Sequence, residues 1–127
     1  MTITPNMPAN QMIDRLVGAG VTYFNPTLTC PSGASGRFDN GILTTLAMDS
    51  GIVLTSGSAI NTSLSAGFFT SISYGTTGGD ADLAAAATGT IHDLCKLEFD
   101  FIPIGDTIKF NYRFGSEEYT NYTCSNF

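Results

Sequence analysis

The sequence predicts an all-β protein, with a β-sandwich or jelly-roll arrangement and one or two short helices. Apolar and polar residues alternate with a period of two in several short segments, which is typical of strands with one buried and one solvated face. Turns rich in Gly, Ser and Thr separate these segments, and only two short stretches have a helical pattern. At 127 residues, the chain has the length of one domain or of a part of one.

The first half of the chain predicts short elements. Thr2–Pro8 is extended, and Ala9–Val17 is a helix because its apolar residues lie four apart and glycines follow it. Val21–Asn25 is a strand that Pro26 interrupts, and the P-S-G-A-S-G motif predicts that Leu28–Phe38 is largely loop. The apolar run between Gly51 and Gly57 predicts a short buried strand.

The second half predicts a strand at Phe68–Tyr74, from its period-two alternation, and a helix at Asp82–Ala87, because alanine is the best helix former. The longest alternating stretch, Cys95–Tyr119, predicts a β-hairpin whose strands are residues 97–101 and 108–114. We expect this hairpin to be the centre of the core, with each buried aromatic contributing about 1.5–3 kcal/mol. Opposite charges would then face each other across its ladder: Glu98 and Asp100 on one strand, Lys109 and Arg113 on the other.

The composition excludes several classes of protein. The net charge is −6, and without a basic patch the chain is not expected to bind nucleic acid. Charged residues make up 13% of the chain, about half the usual share. A surface that is polar but largely uncharged is common among exported β-proteins. No apolar run is long enough for a membrane span, and Met1–Gln11 has no signal-peptide pattern. Either the protein is cytoplasmic or its export signal is absent from this chain. We favour the second alternative and expect a secreted or cell-surface protein.

Three cysteines, Cys30, Cys95 and Cys124, leave the redox state open. One disulfide with a free thiol, a partner outside the chain, and buried thiols without a bridge are all compatible with the odd number. No pair has the C-x-x-C spacing of zinc or redox sites, and there is a single histidine, His92.

Acidic residues form two candidate sites. In Gly78-Gly-Asp-Ala-Asp, the carboxylates of Asp80 and Asp82 follow a glycine pair and are able to converge on a hard cation. The alternative is that one of them caps the alanine-rich helix.

In Ser116-Glu-Glu-Tyr, strand alternation places Glu117 and Glu118 on opposite faces, so one at most turns inward. A glycosidase pair or a serine-hydrolase triad is weakly supported, because adjacent glutamates are common and no G-x-S-x-G motif is present.

The segments of the chain, in their order, resemble the choice-of-anchor L domain of bacterial surface proteins, which is frequent in Bacteroidota. The resemblance is carried by five motifs: L-V-G-A-G-V-T (Leu16–Thr22), D-S-G-I-V-L-T-S-G (Asp49–Gly57), G-D-A-D-L (Gly79–Leu83), the long Leu97–Tyr119 segment and C-S-N-F (Cys124–Phe127). It implies an exported β-rich module without enzymatic activity. It also implies that residues 1–127 are a single domain, the N-terminal part of a longer one of this type.

The resemblance bears on metals and partners as well. Because the family has acidic residues in both segments, Asp80, Asp82 and one of Glu117 or Glu118 are expected to share a calcium ion. The expected partners are other surface or matrix proteins, or a second copy that adds a strand to an open sheet edge. The favoured function is adhesion or the assembly of a matrix or appendage. The alternative is a carbohydrate-binding module with exposed tyrosines, which the absence of Trp makes weaker.

Overall fold

The structure is a computed structural model that describes residues 1–63 and 72–116. Its elements are β1 (Thr2–Pro5), α1 (Ala9–Leu16), β2 (Thr22–Thr29), β3 (Ser35–Asp39), β4 (Gly51–Leu54), a 3₁₀ helix (Ala59–Ser63), α2 (Ala81–Ala86) and β5 (Lys96–Ile102). The strands pair antiparallel in a three-stranded and a two-stranded sheet. The predicted β-rich class with short helices is confirmed, while a sandwich or jelly roll stays a prediction.

The three-stranded sheet has the order β1-β3-β4, so β3 lies in its centre. Its register places Phe38 of β3 opposite Gly51 of β4. A Cβ atom at position 51 would lie 2.8 Å from the Phe38 ring, so the glycine leaves the space that the ring occupies. The G-I-V-L run was therefore correctly predicted as a strand, but it is not buried as predicted: its residues are half-buried and Leu54 is exposed. Its first glycine has a packing role.

Helix α1 and β3 supply most of the core. Met12 and Ile13 on one face of α1 are fully buried, and Phe38 of β3 is buried beside this core with 5% of its surface exposed. Ala34 and Ala59, just before β3 and at the start of the 3₁₀ helix, are fully buried as well. Arg15 in the last turn of α1 forms an ion pair with Asp39 at the end of β3, which fixes the helix against the sheet.

The two-stranded sheet consists of β2 and β5, and a β-bulge divides it. Phe24 lies opposite Asp100 and Thr27 opposite Glu98, so Asn25 and Pro26 together face a single residue of β5. Asn25 has a positive φ of 51°, and proline has no N–H for the ladder, so a bulge accommodates both. The predicted interruption at Pro26 is thus a bulge within one longer strand.

A disulfide joins Cys30 and Cys95 at the end of this sheet. Thr29 pairs with Lys96, and the two cysteines continue that register by one residue. Of the alternatives that the cysteine count left open, a disulfide is therefore the one found for this pair. Cys124 lies outside the described residues.

The predicted aromatic hairpin is only half correct. Its first strand is β5, but β5 pairs with β2 and not with residues 108–114. Residues 107–116 are not in a strand, and Phe110 and Phe114 are 72% and 88% exposed. The hairpin is therefore not the centre of the core, and the predicted charge pairs across its ladder do not form. Alternation was correctly interpreted as strand potential, but it does not specify which strand becomes the partner.

Two other predictions need correction or remain open. The supposed loop at Leu28–Phe38 contains the end of β2 and most of the central strand β3, and only residues 30–34 connect them. The predicted strand at Phe68–Tyr74 lies largely outside the described residues, and Ile72 and Tyr74 are not in a strand. Within residues 1–63 and 72–116, no helix has the length and apolar character required to span a bilayer.

Candidate functional site

Strand β5 has one aromatic face that is only partly covered. Its alternation places Phe99 and Phe101 on one side, with ring centroids 6.0 Å apart, and Tyr23 of β2 packs edge-on against Phe99 at 6.2 Å. The Tyr23 hydroxyl donates to Asp14 Oδ1 on α1 at 2.8 Å, and this hydrogen bond raises the tyrosine pKa. None of the three rings is fully buried, so the cluster is open to a further apolar layer.

The other face of β5 is polar and acidic. Glu98 and Asp100 are exposed there, and Asp100 Oδ2 accepts a 2.7 Å hydrogen bond from Asn25 Nδ2 in the bulge. An open groove of about 510 Å³ lies along this strand, lined by residues 97–101 with Asn25 and Thr27. Because consecutive residues of β5 line the groove, both faces of the strand are accessible from it.

Lys96 at the start of β5 joins two carboxylates. Its Nζ lies 2.6 Å from Asp80 Oδ2 and 2.9 Å from Glu98 Oε2. The hydrogen bonds to Asp80 and then to Glu98 raise the pKa of Lys96 above its usual value. The hydrogen bond from Lys96 in turn lowers the pKa of Asp80. The hydrogen bond from the Leu83 backbone N–H lowers it further. The Lys96–Asp80 ion pair therefore connects the α2 segment to β5.

The structure assigns a capping role to Asp80. This residue is the N-cap of α2, and its Oδ1 accepts from the backbone N–H of Leu83 at 2.8 Å. Asp82 is exposed in the first turn of the same helix, and Glu117 and Glu118 lie outside the described residues. Within residues 1–63 and 72–116, no three His, Cys, Asp or Glu side chains are grouped closely enough to hold a metal ion. Calcium binding by the four predicted residues stays a prediction.

Asp93 is a buried carboxylate that organises the loop before α2. Its Oδ1 accepts from the backbone N–H and the hydroxyl of Thr76, and its Oδ2 accepts from the Ser73 hydroxyl and the Tyr74 N–H, all at 3.0–3.1 Å. These hydrogen bonds lower the pKa of Asp93, and the one from the Thr76 backbone N–H has the largest effect. Asp93 also adopts a positive φ of 49°, which aspartate tolerates better than most residues.

We expect Asp93→Asn to lower the melting temperature by several degrees, because the amide group would face N–H and hydroxyl donors that now meet a carboxylate. Since folding lowers the pKa of Asp93, its ionisation stabilises the protein fully above the ordinary carboxyl pKa of 3.8. That contribution is lost as the pH falls through the lower folded-state pKa. The difference in melting temperature between wild type and variant should therefore shrink below pH 3.8. A difference that stays constant down to pH 2 would contradict this role.

Sequence reasoning missed the Lys96 and Asp93 contacts. The Ser and Thr residues near His92 and Asp93 were considered only as members of a hydrolase triad, and not as partners of Asp93. Thr77 and His92 instead form an isolated β-bridge, which brings Ser73 and Thr76 to Asp93. The only sequence signal was the excess of hydroxyl residues about 20 positions upstream of a lone aspartate, which is too weak to assign a partner.

Residues 108–114, here called the aromatic arm, follow β5 after a short irregular segment. Ile108, Phe110, Tyr112 and Phe114 are each at least 65% exposed. The Phe110 and Tyr112 rings contact each other with centroids 6.1 Å apart. Large contiguous apolar surface of this kind marks an interaction site in soluble proteins. The open face of β5 and the aromatic arm together are therefore the candidate interaction surface.

No curated protein and no solved structure shows a significant match to the chain. A family model described as the choice-of-anchor L domain matches residues 2–127, which is essentially the whole sequence. The match includes the β5 segment, the aromatic arm and the acidic segment before α2, so the resemblance found in the motifs is confirmed over the full length. The chain belongs to the choice-of-anchor L domain family and is a module of a surface-associated bacterial protein.

Proposed function

We propose that this module has no enzymatic activity and that it mediates adhesion, or the assembly of a surface matrix or appendage, outside the cell. The observations that carry the proposal are the exposed aromatic arm and the partly covered aromatic face of β5. Burying the four apolar side chains of the arm against a partner would contribute roughly 1.5–3 kcal/mol for each side chain. This is a large driving force for association from a short segment.

Two further observations support the proposal. The Cys30–Cys95 disulfide fits an oxidising compartment, because such bonds persist mainly in exported proteins. Asp93, the carboxylate next to the single histidine, uses both oxygens to hold the 73–76 loop in place. It therefore has a structural task and is not arranged to orient an imidazole for catalysis.

The function is tested by binding of the fluorescently labelled module to the surface of the bacterium that produces it, measured by flow cytometry. A variant with Phe110, Tyr112 and Phe114 all replaced by serine should lose most of the binding. The matched control replaces Ile42 and Leu43, which are also exposed and apolar but distant in sequence from the arm. Equal binding by both variants and the wild type would overturn the proposal.

We also propose that calcium stabilises the fold through Asp80, Asp82 and one of Glu117 or Glu118. An ion there would replace Lys96 as the partner of Asp80. A ligand bound only by the folded state raises stability by about 2.7 kcal/mol at a concentration of 100 Kd.

We expect a higher melting temperature in excess calcium than in EDTA, and no such difference in Asp82→Asn. Asp82 serves this comparison because it does not provide the helix cap, so the variant should keep the wild-type melting temperature in EDTA. An unchanged wild-type midpoint would remove the calcium proposal.

Carbohydrate binding is the second candidate function, and the groove along β5 favours it. Phe99 and Phe101 offer ring faces there, while Asn25, Glu98 and Asp100 offer hydrogen-bonding groups. This combination of apolar surface with a few polar groups is typical of small-ligand sites. A glycan array should then show binding that Phe101→Ala abolishes. An array without any signal, at concentrations where cell binding is strong, would favour a protein partner.

A further inference from the structure

The second edge of β5 is open in the part of the chain that the structure describes. β2 occupies one edge of β5, and no other described residue forms a ladder with the strand. An open edge presents a row of N–H and C=O groups that another strand is able to pair with.

The aromatic arm has the pattern that such an edge requires. Its apolar residues are at even positions, and Leu97, Phe99 and Phe101 of β5 are at odd positions, so an antiparallel pair with an odd sum of residue numbers places both sets on one face. One register aligns Phe101 with Phe110, Phe99 with Tyr112 and Leu97 with Phe114. This alignment would place a second aromatic row beside the half-exposed aromatic cluster of β5, on the same face of the sheet.

The charges are compatible with the same register, as they are with the shift that brings Asp100 opposite Arg113. In the first of these two registers, Glu98 lies opposite Arg113, which pairs opposite charges on the polar face. A shift by two residues in one direction brings Lys96 opposite Arg113, which are like charges. A shift in the other direction leaves Leu97 without an apolar partner. The arm is therefore complementary to β5 both in its apolar pattern and in its charge.

We infer that the aromatic arm of one copy of this chain adds as an antiparallel strand to the open edge of β5 in a second copy. The arm of the same chain leaves β5 and lies exposed, so edge and complementary strand are both present but not joined. Reciprocal exchange between two copies satisfies both edges with the same contacts, which is the geometry of domain swapping. The inference rests on the proposed function, since it names the partner of the same surface.

Charge reversal distinguishes exchange between copies from pairing within one chain. Glu98→Arg and Arg113→Glu each place like charges at both junctions of a dimer, and we expect each to raise the dimer dissociation constant by roughly tenfold or more. Mixing the two variants restores an Arg–Glu pair at both junctions, so the mixture should dimerise as the wild type does. Analytical ultracentrifugation of the wild type, of each variant and of the mixture measures this. Glu98→Gln and Arg113→Gln, checked by circular dichroism, control for loss of the Lys96 contact.

A second measurement traps the register. In a Cys124→Ser background, chains carrying Glu98→Cys are mixed with chains carrying Arg113→Cys and oxidised mildly. A covalent dimer between the two kinds of chain is expected, with much less product when Asp100→Cys replaces Glu98→Cys. A monomeric wild type, or a double-cysteine chain that closes only on itself, would overturn the inference. In either case, loss of cell binding by the arm variants would still support the proposed function, so the two failures are distinguishable.

Discussion

Replacing Cys30 and Cys95 together by serine is expected to lower the free energy of unfolding by about 4 kcal/mol. The disulfide closes a loop with a sequence separation of 65 residues, and cross-linking a loop of that length removes much conformational entropy from the unfolded chain. The bond also connects the ends of β2 and β5, a two-stranded sheet, and isolated two-stranded sheets are marginally stable in water. Because a small domain is stable by only 5–15 kcal/mol, the loss should be visible as a large shift in the denaturation midpoint.

Chemical denaturation with and without a reducing agent measures this effect. Cys124→Ser is the control. Because Cys124 is not a member of the bridge, the denaturation midpoint of this variant should match that of the wild type, both with and without the reducing agent. If the double variant unfolds at the wild-type denaturant concentration, the Cys30–Cys95 bond does not contribute as the structure indicates.

Ile13→Ala is expected to cost 2–5 kcal/mol, a range typical for a fully buried aliphatic residue. The side chain lies in the core formed by α1 and the three-stranded sheet, and the alanine would leave a cavity there. Phe114→Ala removes a larger side chain, but the residue is 88% exposed, so its effect should stay within about 0.5 kcal/mol. Urea denaturation of the two variants under the same conditions compares them directly.

This comparison decides where the core lies. A core centred on the aromatic hairpin would give the reverse order, with Phe114→Ala the more destabilising change. The test should be made at a protein concentration where the wild type is monomeric, because burial of the arm in a partner would add to the effect of Phe114→Ala.

Local patterns correctly predicted the elements that depend on nearest neighbours along the chain. The alternation of residues 97–101 predicted β5, the spacing of Met12, Ile13 and Leu16 predicted α1, and the alanine run predicted α2. Asp80 was recognised as a candidate cap because the capping bond to Leu83 spans only three residues. The family was also accessible from the sequence, because its motifs are ordered segments rather than spatial contacts.

Contacts between distant segments were decided by the fold. Alternation gives residues 108–114 the same strand potential as β5, but β2 occupies one edge of β5, and no local pattern indicates that pairing. The Cys30–Cys95 pair and the Asp93 hydrogen bonds likewise join segments that are far apart in sequence.

The sequence by itself determined the β-rich class, most local elements and the family of this protein. Only the tertiary structure decided which strand pairs with β5, which cysteines are joined and which apolar side chains are buried. The physical reason is that periodicity and capping depend on residues a few positions apart. Strand partners and burial depend on a competition among all apolar segments for the same limited core, which no single segment encodes.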